Sequence, residues 1–94
     1  MLKEFSREQK ELFLEYIQDP SKHIIWGRNN MKAWNDWCNP IFNLEKLGEF
    51  DNRRLMLAHY AEQINANFIC CRIFPGALEF KDQKSKFLFM LKYF

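Results

Sequence analysis

The sequence predicts an α+β domain, with N-terminal helices packed on one face of a small C-terminal antiparallel β-meander and a candidate fourth strand at 23–26. Three observations lead to it. Apolar residues recur at helical spacing through most of the chain and switch to period two in its last third. Turn and capping residues separate the runs at 19–20, 27–30, 39–40, 48–51, 74–77 and 82–85. Ten Phe, three Trp and three Tyr supply the bulk of a core, since each ring buries roughly 150–250 Å². Ninety-four residues leave room for one domain, 1–94, with a thin core.

The first helix is expected from Ser6, whose spacing to Gln9 is that of a capping box. Phe5, Leu12, Phe13, Tyr16 and Ile17 share one arc; Arg7, Glu11 and Glu15 lie opposite, with Leu14 a lone apolar residue among them. Asp19-Pro20 ends this helix, because the residue before proline avoids the α region. His23-Ile24-Ile25-Trp26 is a short strand closed by Gly27. Asn29 or Asn30 caps a second helix, on which Met31, Trp34 and Cys38 line up and Trp37 sits on the flank. Asn39-Pro40 breaks it and opens another helical stretch through Ile41, Leu44 and Leu47, capped by Gly48. Asp51 is the next N-cap, with Phe50 and Leu55 at hydrophobic-staple spacing. A helix over 52–65 turns Met56, Leu57, Ala58, Tyr60, Ala61 and Ile64 inward and His59, Glu62 and Gln63 outward.

Phe68 to Phe74 reads as a strand, Phe74-Pro75-Gly76-Ala77 as a type II turn and Ala77 to Lys81 as a second strand. Asp82 to Ser85 reads as a turn and Lys86 to Tyr93 as a third strand. Val and Thr are absent, so Phe, Ile, Leu, Met and Cys must build the strands. The third strand carries Phe87, Phe89, Leu91 and Tyr93 on one face and Leu88, Met90 and Lys92 on the other. Two apolar faces imply cover on both sides or a face that awaits a partner, and a homodimer through this C-terminal strand is one such arrangement.

Fourteen Lys and Arg against twelve Asp and Glu leave a net charge of +2, which excludes an acidic nucleic-acid mimic and a strongly basic nucleosome-type binder. Cys38, Cys70 and Cys71 are odd in number and two are adjacent, so no disulfide framework is expected and a reducing, cytoplasmic setting is. The chain opens without a signal-like apolar stretch, and its longest apolar run, Phe87 to Leu91, is far short of the ~20 residues of a membrane span. His23, His59 and the cysteines lack the paired spacing of a zinc site, so no metal is expected. Gly27, Gly48 and Gly76 stand alone, so there is no phosphate loop and no cofactor is implied. Cys38 with His59 as base and Asp36 or Glu62 as orienter is the enzyme inventory; His59 falls on a solvated face, and no catalytic residue is assigned.

By elimination the expected function is stoichiometric binding of another protein, as a small inhibitor or adaptor of the kind that phages and mobile elements carry. Trp37, Arg28, Trp26 and Leu14 are the candidate contacts, since Trp and Arg are enriched in interface hot spots and Trp37 lies off the inward line. The alternative is nucleic-acid binding. Residues 1–50 hold seven bases and eight acids, whereas residues 51–94 hold seven bases and four acids. Arg53, Arg54, Arg72, Lys81, Lys84 and Lys86 are then the candidate phosphate contacts.

Overall fold

The computed structural model describes residues 2–44, 52–72 and 74–94, with Phe74 described by its backbone alone. Four strands, β1 (Leu2–Phe5), β2 (His23–Trp26), β3 (Ala66–Cys71) and β4 (Phe74–Phe80), form one sheet in the order β1-β3-β4-β2. The class is α+β, and the strand expected at 23–26 is present. The sheet is mixed, however, because β1 lies parallel to β3, with Leu2 opposite Phe68 and Phe5 opposite Cys71. The other two pairings are antiparallel. Phe5 therefore belongs to a strand and not to the first helix. Leu2 and Phe5 pack on opposite faces of the sheet, so two apolar residues three apart carry no period-two signal.

Residues 74–77 are strand, not a type II turn: β3 ends at Cys71 and β4 begins at Phe74. Pro75 is tolerated because β2 pairs with β4 only from Ala77 onward, and the register against β3 shifts between Ile69 and Cys71. Gly76 serves close approach and has no positive φ. A Cβ on it would sit 2.4 Å from the Phe68 ring, and one on Gly27 would sit 2.6 Å from the Trp34 ring. These two glycines let Trp34 stack on Phe68 at 6.1 Å over the end of the sheet.

The helices cover both faces of the sheet, which corrects the expectation that all of them lie on one. Helix α1 (Lys10–Ile17) closes the smaller cluster, in which Phe13 and Ile17 meet Ile69, Cys71 and Ala77. Helices α2 (Met31–Phe42), α3 (Arg53–Glu62) and α4 (Gln83–Tyr93) close the larger one on Ile25, Phe68, Leu78 and Phe80. The Ser6–Gln9 capping box is present and opens a single 3-10 turn, Arg7–Gln9, ahead of α1. Tyr16 Oη donates to Glu79 on β4 and ties α1 to the sheet.

Helix α2 runs through Asn39-Pro40 instead of stopping there. Proline gives no N–H to the Asp36 carbonyl, but Trp34, Trp37, Cys38 and Ile41 form one buried stripe whose packing carries the last turn onward. Asn30 stands at its N-cap with its amide turned to the Trp26 carbonyl, so the predicted side-chain cap is not formed. For α3 the cap is Asn52, whose Oδ1 accepts from Leu55 N at 2.9 Å, and not Asp51. Asp51, Phe50, Gly48 and Leu47 lie outside the described residues.

The segment 86–93 is helix, not strand. Asp82 caps it by accepting from Ser85 N at 2.7 Å, and Ser85, Phe89 and Tyr93 then follow at i, i+4, i+8 against the larger core. Its near-continuous apolar run fits period two and period 3.6 alike, and the cap with the Gln-Lys-Leu-Met composition decides for helix.

Candidate partner-binding surface

Helix α4 buries one side and exposes the other. Phe87, Leu88, Leu91 and Phe94 are 53, 55, 66 and 61% exposed. Positions 87, 91 and 94 are spaced i, i+4, i+7, and Leu88 lies beside Leu91 at i, i+3, so the four form one contiguous stripe. Scattered exposed apolar residues need no explanation, whereas a contiguous apolar stripe on one helix is a candidate interaction surface. The rim is basic. Lys84, Lys86 and Lys92 lie along the helix, and no acid stands between Gln83 and Tyr93. The Lys92 ammonium rests 5.3 Å from the Tyr93 ring centre.

Two hollows border the stripe. Leu88 and Lys92 form one wall of a groove of about 260 Å³ whose other wall is Gln63, Ile64 and Asn65 at the end of α3. Tyr93 and Phe94 border a shallower hollow of about 330 Å³ with Met31 and Lys32 of α2. Met31 is itself 46% exposed, so apolar surface continues from α4 onto the start of α2.

Trp37, expected to be exposed, is 4% exposed and packs at 5.4 Å on Trp34 in the larger core. The inward arc of α2 is centred on Trp34, Trp37, Cys38 and Ile41, and Met31 is the residue that falls off it. Trp26 and Leu14 are half-buried against the smaller cluster, and Trp26 meets Phe13 edge-on at 6.3 Å. Leu12, not Leu14, is the outward apolar residue of α1, at 54% exposure. Arg28 is exposed, with its guanidinium 5.8 Å from the Trp26 ring. Trp37 thus lies on the opposite face of the sheet from Trp26 and Leu14, and the four residues do not share a surface. The segment 86–93 is helix, so among the described residues no strand follows β4 for a second copy to extend.

The basic residues of the C-terminal half divide between two ends of the sheet. Arg72 follows β3, and Arg54 lies 3.5 Å from Glu4 of β1. Lys81, at the other end of β4, bonds through its backbone to Asn65, and Lys84 and Lys86 open α4. Arg53 lies over the Phe42 ring at 5.0 Å. Sequence reasoning missed two groups. The α4 stripe fits a strand face equally well by its pattern, and the spacing of Arg7 puts it on a solvated helix side. Arg7 lines one cleft with Arg54 and Arg72.

Cys38 is 2% exposed, and burial pushes its thiol up to about 12, so it is protonated at neutral pH. His59 faces outward from α3 with its ring edge-on to Tyr60 at 5.2 Å. Burial also raises the Cys70 thiol. Among the described residues no group of three His, Cys, Asp or Glu side chains is placed to hold a metal ion. No helix among them is long and apolar enough to cross a membrane. No protein-family model, no curated protein and no solved structure matches this chain.

Proposed function

We propose that this protein acts by stoichiometric binding of another protein, and that the outer face of α4 is its contact surface. The observation that carries the reading is the stripe of Phe87, Leu88, Leu91 and Phe94, more than half exposed at every position. The rings of Phe87 and Phe94 serve as anchors, and the isobutyl groups between them exclude water around those anchors. Lys84 and Lys92 beside the stripe favour a partner with acidic side chains flanking an apolar ridge, such as an amphipathic acidic helix laid into the groove beside Leu88. A second copy of the chain is disfavoured there, because antiparallel α4 helices would set lysines against lysines.

The test is affinity capture from the native cell with the wild-type chain and with a Phe87→Ser/Leu91→Ser variant. Both positions are exposed, so the variant melts within a few degrees of wild type. It is expected to lose an acidic protein that the wild-type chain recovers at a one-to-one ratio and that does not depend on nucleic acid. Recovery of the same proteins by both chains overturns the reading, as does a wild-type chain that sediments as a dimer and a variant that sediments as a monomer.

A further inference from the structure

Three arginines from distant parts of the chain meet at one end of the sheet. Because β1 and β3 run parallel, both strands finish at the same edge, where Phe5 lies opposite Cys71. Arg7 follows β1 by two residues and Arg72 follows β3 by one. Arg54, in the first turn of α3, is drawn to this end by Glu4 at 3.5 Å. The three line a cleft of about 650 Å³ together with Glu4, Ser6 and Glu8. They also border a neighbouring hollow of about 510 Å³ whose apolar lining includes Phe68, Cys70 and Cys71. All three arginines thus line both cavities.

Their charge is only partly answered. Glu4 is engaged by Arg54, and Glu8 is the other acid on the cleft wall. Among the described residues the guanidinium groups of Arg7 and Arg72 make no ion pair or hydrogen bond, and both residues are exposed. Planar guanidinium forks that share one opening match a tetrahedral oxyanion, which accepts two parallel N–H bonds from each fork. The volume is that of a small-ligand site and exceeds what a single bare anion fills. We propose that this cleft binds the phosphate group of a ligand, with Arg7 and Arg72 clamping its oxygens and Glu4 holding Arg54 against the third side. The proposal stands apart from the α4 surface: the cleft shares no lining residue with the stripe or its grooves.

Two sources carry this chemistry, a small phosphorylated molecule and the backbone of a nucleic acid. Calorimetric titration of the whole chain at low salt with pyrophosphate, and separately with a short single-stranded oligodeoxythymidylate, distinguishes them. Binding of at least one probe is expected, weakened about tenfold or more by Arg7→Ala and by Arg72→Ala, since each substitution removes a charge-assisted pair. Arg72→Lys is expected to restore only part of the affinity, because the fork is lost while the charge is kept. Pyrophosphate binding equal to or tighter than the oligonucleotide assigns a small ligand. Tighter oligonucleotide binding that falls steeply with salt, with a slope reduced in both alanine variants, assigns a nucleic-acid backbone. The proposal is overturned if neither probe binds. It is equally overturned if binding survives Arg7→Ala and Arg72→Ala but is lost in Lys84→Ala/Lys86→Ala, at the other end of the sheet.

Discussion

Tyr16 concentrates much of what joins α1 to the rest of the molecule. Its hydroxyl donates to Glu79, and the ammonium groups of Lys3 and Lys22 lie 5.0 and 4.9 Å from its ring centre. Burial first, and then the Glu79 carboxylate, push its phenol from 10.0 up to about 12. The folded state therefore favours the protonated form. The stability this contributes is fully present below pH 10.0, and it is lost as pH rises toward about 12. Denaturant melts across this range should show wild type losing stability faster than Tyr16→Phe between pH 10.0 and about 12. Parallel loss in the two chains would mean that the phenol titrates as it does in the unfolded chain. Trp37 teaches a different lesson at the same scale. Its neighbours in the sequence leave the centre of the α2 arc uncertain by one position, and that one position decides between core and surface. Only the packing of Trp37 on Trp34 resolves it.

At the scale of elements, α1, α3 and β2 are legible because each carries a boundary residue or an outward face that agrees with its period. The capping box begins the first, outward His59 and Gln63 define the face of the third helix, and Gly27 ends the strand. Three elements were not legible, for separate physical reasons. Strand β1 is short and its two apolar residues serve opposite clusters. The start of β4 carries Pro75 and Gly76, which look like a turn but sit where β2 pairing has ended. Helix α4 is apolar on both sides, so neither period stands out, and its exposed face fits the pattern of a sheet strand equally well. Its Asp82 cap is the decisive local signal. Hydrogen bonds from Ser85 hold the Asp82 carboxyl below its ordinary value of 3.8. The stabilisation it gives α4 is present above pH 3.8 and is lost as pH falls through the lower folded value. Asp82→Ala is expected to fray the start of α4, lowering the helical circular dichroism and the melting temperature at neutral pH. It should also flatten the acid limb of the stability profile. An unchanged spectrum and an unchanged acid limb would mean that packing of Phe89 and Tyr93 alone sets the start of the helix.

For the whole molecule, the sheet divides the aromatic bulk into two cores of unequal size and leaves one helix face uncovered. Trp34, Trp37, Phe13, Phe68, Phe80 and Phe89 are buried, and Phe5, Tyr16, Trp26, Tyr60 and Tyr93 are packed half-buried against the two cores. Among the described residues, α4 holds the densest run of exposed apolar side chains, Phe87, Leu88, Leu91 and Phe94, away from the tryptophans and Arg28 that composition alone favours as contacts. Two basic clusters likewise stand apart, an arginine cleft at one end of the sheet and Lys84 and Lys86 of α4 at the other. A single nucleic-acid track across the six candidate phosphate contacts of the C-terminal half does not follow from that geometry. The most direct test of the α4 surface places a photo-crosslinking amino acid at position 91 and, in a second chain, at position 12. The two sites are comparably exposed but lie on helices that cover opposite faces of the sheet. The account predicts a single one-to-one protein adduct from position 91 in the native cell and none of comparable yield from position 12. Equal adducts from both sites, or an adduct from position 12 alone, would contradict it.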